Sequence, residues 1–140
     1  MGVPAEATPR GRWPKSHRVR TRLQYQGVQT GGTRVVSPHF VFLLNAQAVR
    51  LPHSRMGVTA SRKVGGAVVR NRAKRLVREA FRATRELWPA GIDVVVVVRS
   101  FQLHSKLQDV VDEWRSVRSK VERQALALQG KVLQAQTPNV

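Results

Sequence analysis

Cysteine is absent from the 140 residues, which excludes disulfides and thiolate metal sites and permits the cytoplasm, the expected location. Acids are scarce as well, eight Asp and Glu against 25 Lys and Arg. A self-sufficient hydrolase needs a general base, a general acid or metal ions held by carboxylates. Glu6 falls in an N-terminal tail, Glu79 and Glu86 lie among arginines, and Asp93 opens an apolar run. Asp109, Asp112, Glu113 and Glu122 fit the polar face of a single helix. The histidines, His17, His39, His53 and His104, show neither His-x3-His nor His-Glu spacing. The pattern therefore predicts no catalytic residue and no metal ligand in the protein. Long apolar runs are missing too. The longest, Val94 to Val98, has the length and β-branching of a buried strand. No apolar signal core opens the chain and no run approaches membrane-spanning length, so no membrane association is expected.

What the chain does have is positive charge, a formal +17. Self-repulsion on that scale makes a polyanion the natural partner. With 41% hydrophobic residues the chain can build one modest core, and its length suits one domain.

The charge concentrates between Ser61 and Trp88, which holds nine cations (Arg62, Lys63, Arg70, Arg72, Lys74, Arg75, Arg78, Arg82, Arg85) and two acids. Val69, Ala73, Leu76, Val77, Ala80 and Leu87 recur at helical spacing, with Phe81 and Trp88 at the edge of the stripe. Lys74, Arg75, Arg78, Arg82 and Arg85 fall on the opposite side with Asn71 among them, and Arg70 and Arg72 flank the stripe. A merely solvated helix face mixes its signs at four-residue spacing. Here most cations lack an acid, so the oily side calls for a sheet and the other side for a polyanion. Val64-Gly65-Gly66 precedes the helix without the pattern of a nucleotide-binding phosphate loop. Its glycines let a phosphate approach backbone N–H groups, and the pair is expected to make the loop mobile.

Around this helix, residues 1–12 read as a disordered tail. A single domain spans 13–128, and a second disordered tail spans 129–140. Ser16 is placed to cap a first helix with Val19 and Leu23 on its buried side, ended by Gly31-Gly32. Arg34 to Val36 reads as a short strand. His39 to Asn45 is a stronger one, with Phe40, Phe42 and Leu44 on one face and Val41 and Leu43 on the other. Gln47 to Ser54 is a turn region, and Arg55 to Ser61 a half-buried strand. Pro89-Ala90-Gly91 stops the basic helix. Ile92 to Val98, apolar on both faces, is expected at the centre of the sheet. Leu103 to Leu128 reads as one amphipathic helix presenting Leu107, Val110, Val111, Trp114, Val117 and Val121. The order is α-β-β-β-α-β-α, an α/β (α+β) sandwich with a mixed four-stranded sheet.

The stretch SRKVGGAVVRNRAKRLVREAF resembles the signature of the bacterial ribonuclease P protein component. The matching residues are Arg62-Lys63, Val64-Gly65, Ala67-Val68, Arg70-Asn71-Arg72, Lys74-Arg75 and Arg78. Gly66 departs from the longer polar residue frequent there. The resemblance, over roughly Trp13 to Lys120, implies a left-handed β-α-β crossover around the basic helix, where the general rule gives the right-handed one. It also implies a protein subunit of an endoribonuclease whose RNA carries the chemistry with Mg²⁺, removing the 5′ leader of precursor tRNA. The partners it implies are the ribonuclease P RNA and precursor tRNA, with no obligate protein partner evident. By the same resemblance Arg62, Lys63, Arg70, Asn71, Arg72, Lys74, Arg75 and Arg78 meet the RNA. Arginine suits that task because its planar fork can contact phosphate oxygens in pairs. Asn71 either reads a base edge, holds a metal-bound water or is a plain exposed residue. A leader cleft is implied at Tyr25, Gln29 and Leu43. Tyr25 matches the family aromatic that stacks on single-stranded bases. Gln29 and Leu43 stand where relatives often have further aromatics. Phe40 and Phe42, facing away from Leu43, are assigned to the core. The reading from another class is a ribosomal-type structural RNA-binding protein with no role in catalysis. A DNA-reading role fits poorly, because no turn-helix pairing precedes the basic helix.

Overall fold

The structure is a computed structural model that describes residues 33–47 and 50–136. The expected first helix and the tail 1–12 lie outside the described residues. The elements in order are β1 (Thr33–Val36), β2 (Phe40–Ala46), β3 (Arg55–Ala60), α1 (Ala67–Ala83), β4 (Ile92–Val98), α2 (Leu107–Ser116) and α3 (Arg118–Gln136). Short 3-10 turns at Arg62–Val64 and Arg85–Leu87 flank α1.

The strands form one mixed sheet in the order β1-β2-β4-β3. β2 pairs antiparallel with β1 and β4, while β3 and β4 run parallel and are joined through α1. β4 is therefore central, as expected, and this is why its sequence is an unbroken apolar run rather than an alternating one. Ile92, Val94, Val96 and Val98 enter the main core, whereas Val95 packs on the other face with Leu43 and Val97. β2 alternates as its sequence predicts, with Phe40, Phe42 and Leu44 buried and Val41 and Leu43 half-buried.

The main core lies between the sheet and the helices. α1 contributes Ala73, Leu76, Val77, Ala80 and Phe81, α2 contributes Val110, Val111 and Trp114, and α3 contributes Val121, Ala125 and Leu128. Trp114 is its hub. Its ring meets Phe40, Phe42 and Trp88 edge-on at centroid distances of 5.9, 5.3 and 5.7 Å, the arrangement that the ring quadrupole favours. Phe81 stacks on Trp88 at 5.7 Å. The Trp88 indole N–H donates to Thr84 Oγ1 at 3.2 Å, and that hydroxyl donates to the Ala80 carbonyl at 2.7 Å.

Two features differ from the sequence reading. The single helix expected over Leu103 to Leu128 begins only at Leu107 and is broken at Val117, whose φ of −105° and ψ of 14° leave the helical region. Asp109 Oδ2 fixes the start by accepting the Lys106 backbone N–H at 2.9 Å. The break arises because α2 packs on α1 whereas α3 packs on β2 and β1. One continuous apolar stripe does not reveal that its halves face different partners. The second difference concerns the tail expected from 129, since α3 runs on to Gln136. Residues 129–136 hold no proline and several good helix formers. Gln129 also anchors the helix by donating from Nε2 to the Ala90 carbonyl at 2.7 Å.

The end of the sheet that carries the 47–54 segment is tied by polar groups. Arg55 forks onto Asp93, Nε to Oδ1 at 2.8 Å and Nη2 to Oδ2 at 2.7 Å. Gln47 Nε2 donates to the same Oδ1 at 3.1 Å and to the His53 carbonyl at 3.1 Å, and Gln47 Oε1 accepts the Leu51 N–H at 2.7 Å. A carboxylate as buried as Asp93 is tolerated because its charge is paired and its oxygens are hydrogen-bonded.

Trp114→Ala removes the hub of this core and is expected to lower stability by about 3–5 kcal/mol. Leu126→Ala, at a site 68% exposed, should change it by no more than about 0.5 kcal/mol. Urea denaturation of the two variants checks both values.

Candidate nucleic-acid interface

The interface is built where parallel β3 ends and α1 begins. After Ala60 the chain makes the Arg62–Val64 turn and reaches Gly65 at φ 151°, a conformation L side chains rarely adopt. A Cβ there would lie 3.0 Å from the Val69 Cβ. Gly66, the N-cap of α1, has an ordinary extended backbone and open space around it. The two glycines thus do different work. Gly65 is required by close packing, while only Gly66 is free to be another residue. No side chain caps α1, which leaves N–H groups of its first turn for solvent or an anion.

The apolar stripe read from the sequence is the buried face of α1, and the cations are turned outward. Arg62, Lys63, Asn71, Arg72, Arg75 and Arg78 are exposed, and Arg70 and Lys74 are half-buried. Among the described residues, Arg62, Lys63, Lys74, Arg75 and Arg78 form no ion pair. The nearby acid Glu86 is engaged elsewhere, on Arg115 of α2 at 2.5 Å. Its carboxyl is held below the usual range, first by a hydrogen bond from its own backbone and then by Arg115. Those five cations are therefore left without an acid partner among the described residues. Val68, Asn71, Arg72 and Arg75 line an open depression of about 360 Å³ on the outward side of α1. Val68, 72% exposed, is an apolar floor among these polar groups that the sequence reading did not single out.

Arg72 has partners of its own. Its Nε donates to the Leu103 carbonyl at 2.9 Å and its Nη2 to the Ser105 carbonyl at 3.1 Å. Arg70 sits on the other flank of the stripe, with its Nε enclosed and without a hydrogen-bond partner among the described residues. Of the expected leader-cleft residues, Tyr25 and Gln29 lie outside the described residues. Leu43 sits half-buried beside Val95 and Val97, on the sheet face opposite the main core. Phe40 and Phe42 are core residues, as the alternation predicts.

One constellation looks catalytic and is not. Ser37 Oγ donates to Glu113 Oε2 at 2.5 Å, the His39 backbone N–H donates to the same oxygen at 2.8 Å, and His39 Nδ1 lies 2.6 Å from Oε1. The carboxylate stands between serine and imidazole, so the imidazole cannot take the serine's proton, as an activated nucleophile would require. Glu113 instead clamps the β1–β2 turn to α2, where the sequence suggested only an ordinary polar face. Among the described residues no cluster of three or more His, Asp or Glu could hold a metal ion, and no helix is long and apolar enough to cross a membrane.

Fold and site together define a small α+β protein with a basic helix following a parallel strand, its exposed cations suited in chemistry to a polyanion. The chain belongs to the ribonuclease P protein family, since the profile described as Ribonuclease P matches residues 13–122. It is 35% identical over 99 residues to the ribonuclease P protein component of Syntrophus aciditrophicus, covering 71% of this chain and 82% of that one. The fold is similar to that of the Staphylococcus aureus RNase P protein, with a TM-score of 0.66, 25% identity and coverage of 79% of this chain and 98% of the other. It is likewise similar to the Thermotoga maritima RNase P protein, with a TM-score of 0.63, 28% identity and coverage of 74% and 96%. The family gives the chain a part in the 5′ processing of tRNA.

Gly65→Ala forces a strained backbone against Val69 and is expected to cost about 1–3 kcal/mol. Gly66→Ala meets open space and should be neutral or stabilise by up to about 1 kcal/mol. Thermal melts of the two single variants separate these outcomes.

Proposed function

We propose that the protein is the RNA-binding subunit of a ribonuclease P. It grips the RNA of that enzyme along α1 and its approach, through Arg62, Lys63, Arg70, Asn71, Lys74, Arg75 and Arg78, while Arg72, expected in the same set, spends two donors on the Leu103 and Ser105 carbonyls. The observation that carries this reading is the outward face of α1 and its approach, where Arg62, Lys63, Lys74, Arg75 and Arg78 form no ion pair among the described residues. Phosphates are the complementary ligand. They would relieve the repulsion, and the guanidinium fork matches their oxygens. In this reading the phosphodiester in precursor tRNA is hydrolysed by the RNA with Mg²⁺, and the protein's residues only bind and orient. The left-handed course of the β3–α1–β4 crossover and the cytoplasmic location belong to the same proposal.

The test is charge reversal. Arg75→Glu with Arg78→Glu should weaken binding to ribonuclease P RNA and lower the log–log salt slope by roughly one for each phosphate that is no longer neutralised. An unchanged slope would mean that this face is merely solvated. Reconstitution with that RNA and precursor tRNA at low Mg²⁺ separates this role from that of a structural RNA binder, which would bind without stimulating cleavage.

The leader of precursor tRNA is the second ligand we propose, held at Tyr25, Gln29 and Leu43. Mature tRNA lacks the leader, so a protein that touches it favours substrate over product. Stacking on an aromatic is worth about 1–3 kcal/mol per base. With Gln29 and Leu43 in place of further aromatics, the lower end applies here. Tyr25→Ala should therefore cost the assembled enzyme roughly tenfold in affinity for leader-bearing tRNA and leave mature tRNA nearly unaffected. Equal losses for both, measured side by side, would place the leader elsewhere.

A further inference from the structure

The segment between β4 and α2, residues 99–106, reads RSFQLHSK and holds Arg99, His104 and Lys106 but no acid. All three basic residues are exposed. The segment would have little reason to stay beside α1 on its own account. Its Phe101 packs on the main core, and Arg99 N–H is bonded to the His39 carbonyl at 2.8 Å. Between these and the Asp109 cap on Lys106 N–H, the chain at 102–105 has one local backbone bond, Ser105 N–H to the Gln102 carbonyl at 2.9 Å. What joins it to the basic helix is Arg72. The two donors of its fork take the carbonyls of Leu103 and Ser105, 31 and 33 residues further along the chain.

This arrangement has an electrostatic consequence. Carbonyl oxygens carry partial negative charge and repel phosphate. Arg72 covers the two that face α1 and leaves the basic side chains of the segment as its outward chemistry. Arg99 spends one nitrogen on the Ser37 carbonyl at 3.1 Å, whereas His104 and Lys106 make no side-chain bond of that kind to a carbonyl of the described residues. The segment thereby carries exposed basic side chains from beside α1 to the start of α2, where the one neighbouring exposed carboxylate, Asp109, is bonded to the Lys106 backbone N–H. Arg75 and Asn71, one helical turn from Arg72 or less, border the same depression as Arg72 itself.

We propose that residues 99–106 are a second contact for the RNA backbone, contiguous with α1, and that Arg72 is the positioning residue that holds them there. The proposal rests on the reading of α1 as an RNA-binding face. It assigns Lys106 to a phosphate and gives Arg72 a task different from that of Arg75 and Arg78, despite their identical side chains. Lysine at position 72 keeps the charge but lacks the planar fork that reaches two carbonyls at once.

The experiment measures binding of the full chain to ribonuclease P RNA over a range of KCl concentrations. The variants are Lys106→Gln, Arg72→Lys and the two combined, with Arg75→Glu plus Arg78→Glu as the reference. Each variant's thermal melt establishes that it is folded. Lys106→Gln should lower the log–log slope by roughly 0.7–0.9, the value of one phosphate contact. Arg72→Lys should lower it by a similar amount although no charge is removed, and adding Lys106→Gln to it should change nothing further. If Lys106→Gln leaves the slope unchanged while the reference variant lowers it, the second contact does not exist and the α1 reading stands. If Lys106→Gln acts equally in both backgrounds, Arg72 does not position the segment. If the reference variant has no effect, the α1 reading itself fails. Arg72→Gln serves as the second background should Arg72→Lys not fold. The Lys106 arm needs neither, because that side chain is exposed and the substitution leaves its capped backbone N–H in place.

Discussion

Everything in this protein depends on one helix being held down on one side and left with an excess of positive charge on the other. The stripe Ala73, Leu76, Val77, Ala80 and Phe81 of α1 is buried. It is buried against the sheet that α1 itself interrupts between β3 and β4, so the cationic face is fixed relative to the strand ends on both sides of it. Within α1, like charges three or four residues apart number five, Arg70–Lys74, Arg72–Arg75, Lys74–Arg78, Arg75–Arg78 and Arg78–Arg82. Opposite pairs number two, Arg75–Glu79 and Glu79–Arg82. Such pairs are worth about 0.2–0.5 kcal/mol each, so the imbalance costs the helix about 1 kcal/mol. A single fully buried Leu or Phe contributes about 1.5–3 kcal/mol. The fold can therefore carry a face with an excess of like charge at little risk, and that excess remains for a ligand.

The aromatic residues follow the same division of labour. Phe40, Phe42, Phe81, Trp88 and Trp114 are all at most 5% exposed and gather in one cluster. Edge-on ring contacts of this kind add about 0.5–1.5 kcal/mol each beyond the area they bury. The cluster draws on β2, α1, α2 and the turn after α1, so it locks the basic helix to the sheet and to α2 together. None of these rings is available for a base to stack on.

Local patterns made much of this legible in the sequence. β2 was readable because the alternation of Phe40, Phe42 and Leu44 reports a sheet with one buried face. β4 was readable because a run of valines without alternation reports burial on both. The two faces of α1 follow from its 3.6-residue period. What escaped the sequence depends on partners far along the chain. Glu113 looks like any polar residue of a helix until Ser37 and His39, more than 70 positions away, are found against it. Val117 looks like the next member of an apolar stripe, since periodicity does not say that α2 and α3 face different surfaces. Gly65 and Gly66 look alike as letters, and only the approach of Val69 distinguishes them.

Arg72 shows most clearly how far composition and motif reach, because both treat it as equivalent to its neighbours. Arg75 and Arg78 extend from the middle of the exposed face and form no ion pair among the described residues. Arg72 lies on the flank of the apolar stripe, where a helix side chain can reach over the edge of its own element. At that position lies a segment with two backbone carbonyls within 3.1 Å. A guanidinium bonded in this way has lost the freedom, and part of the donor capacity, that a phosphate would use. The flank position read from the 100° helical step was thus already the physical reason for the difference. Only the presence of the 103–105 backbone beside it was needed to give an expected ligand group two partners within the protein.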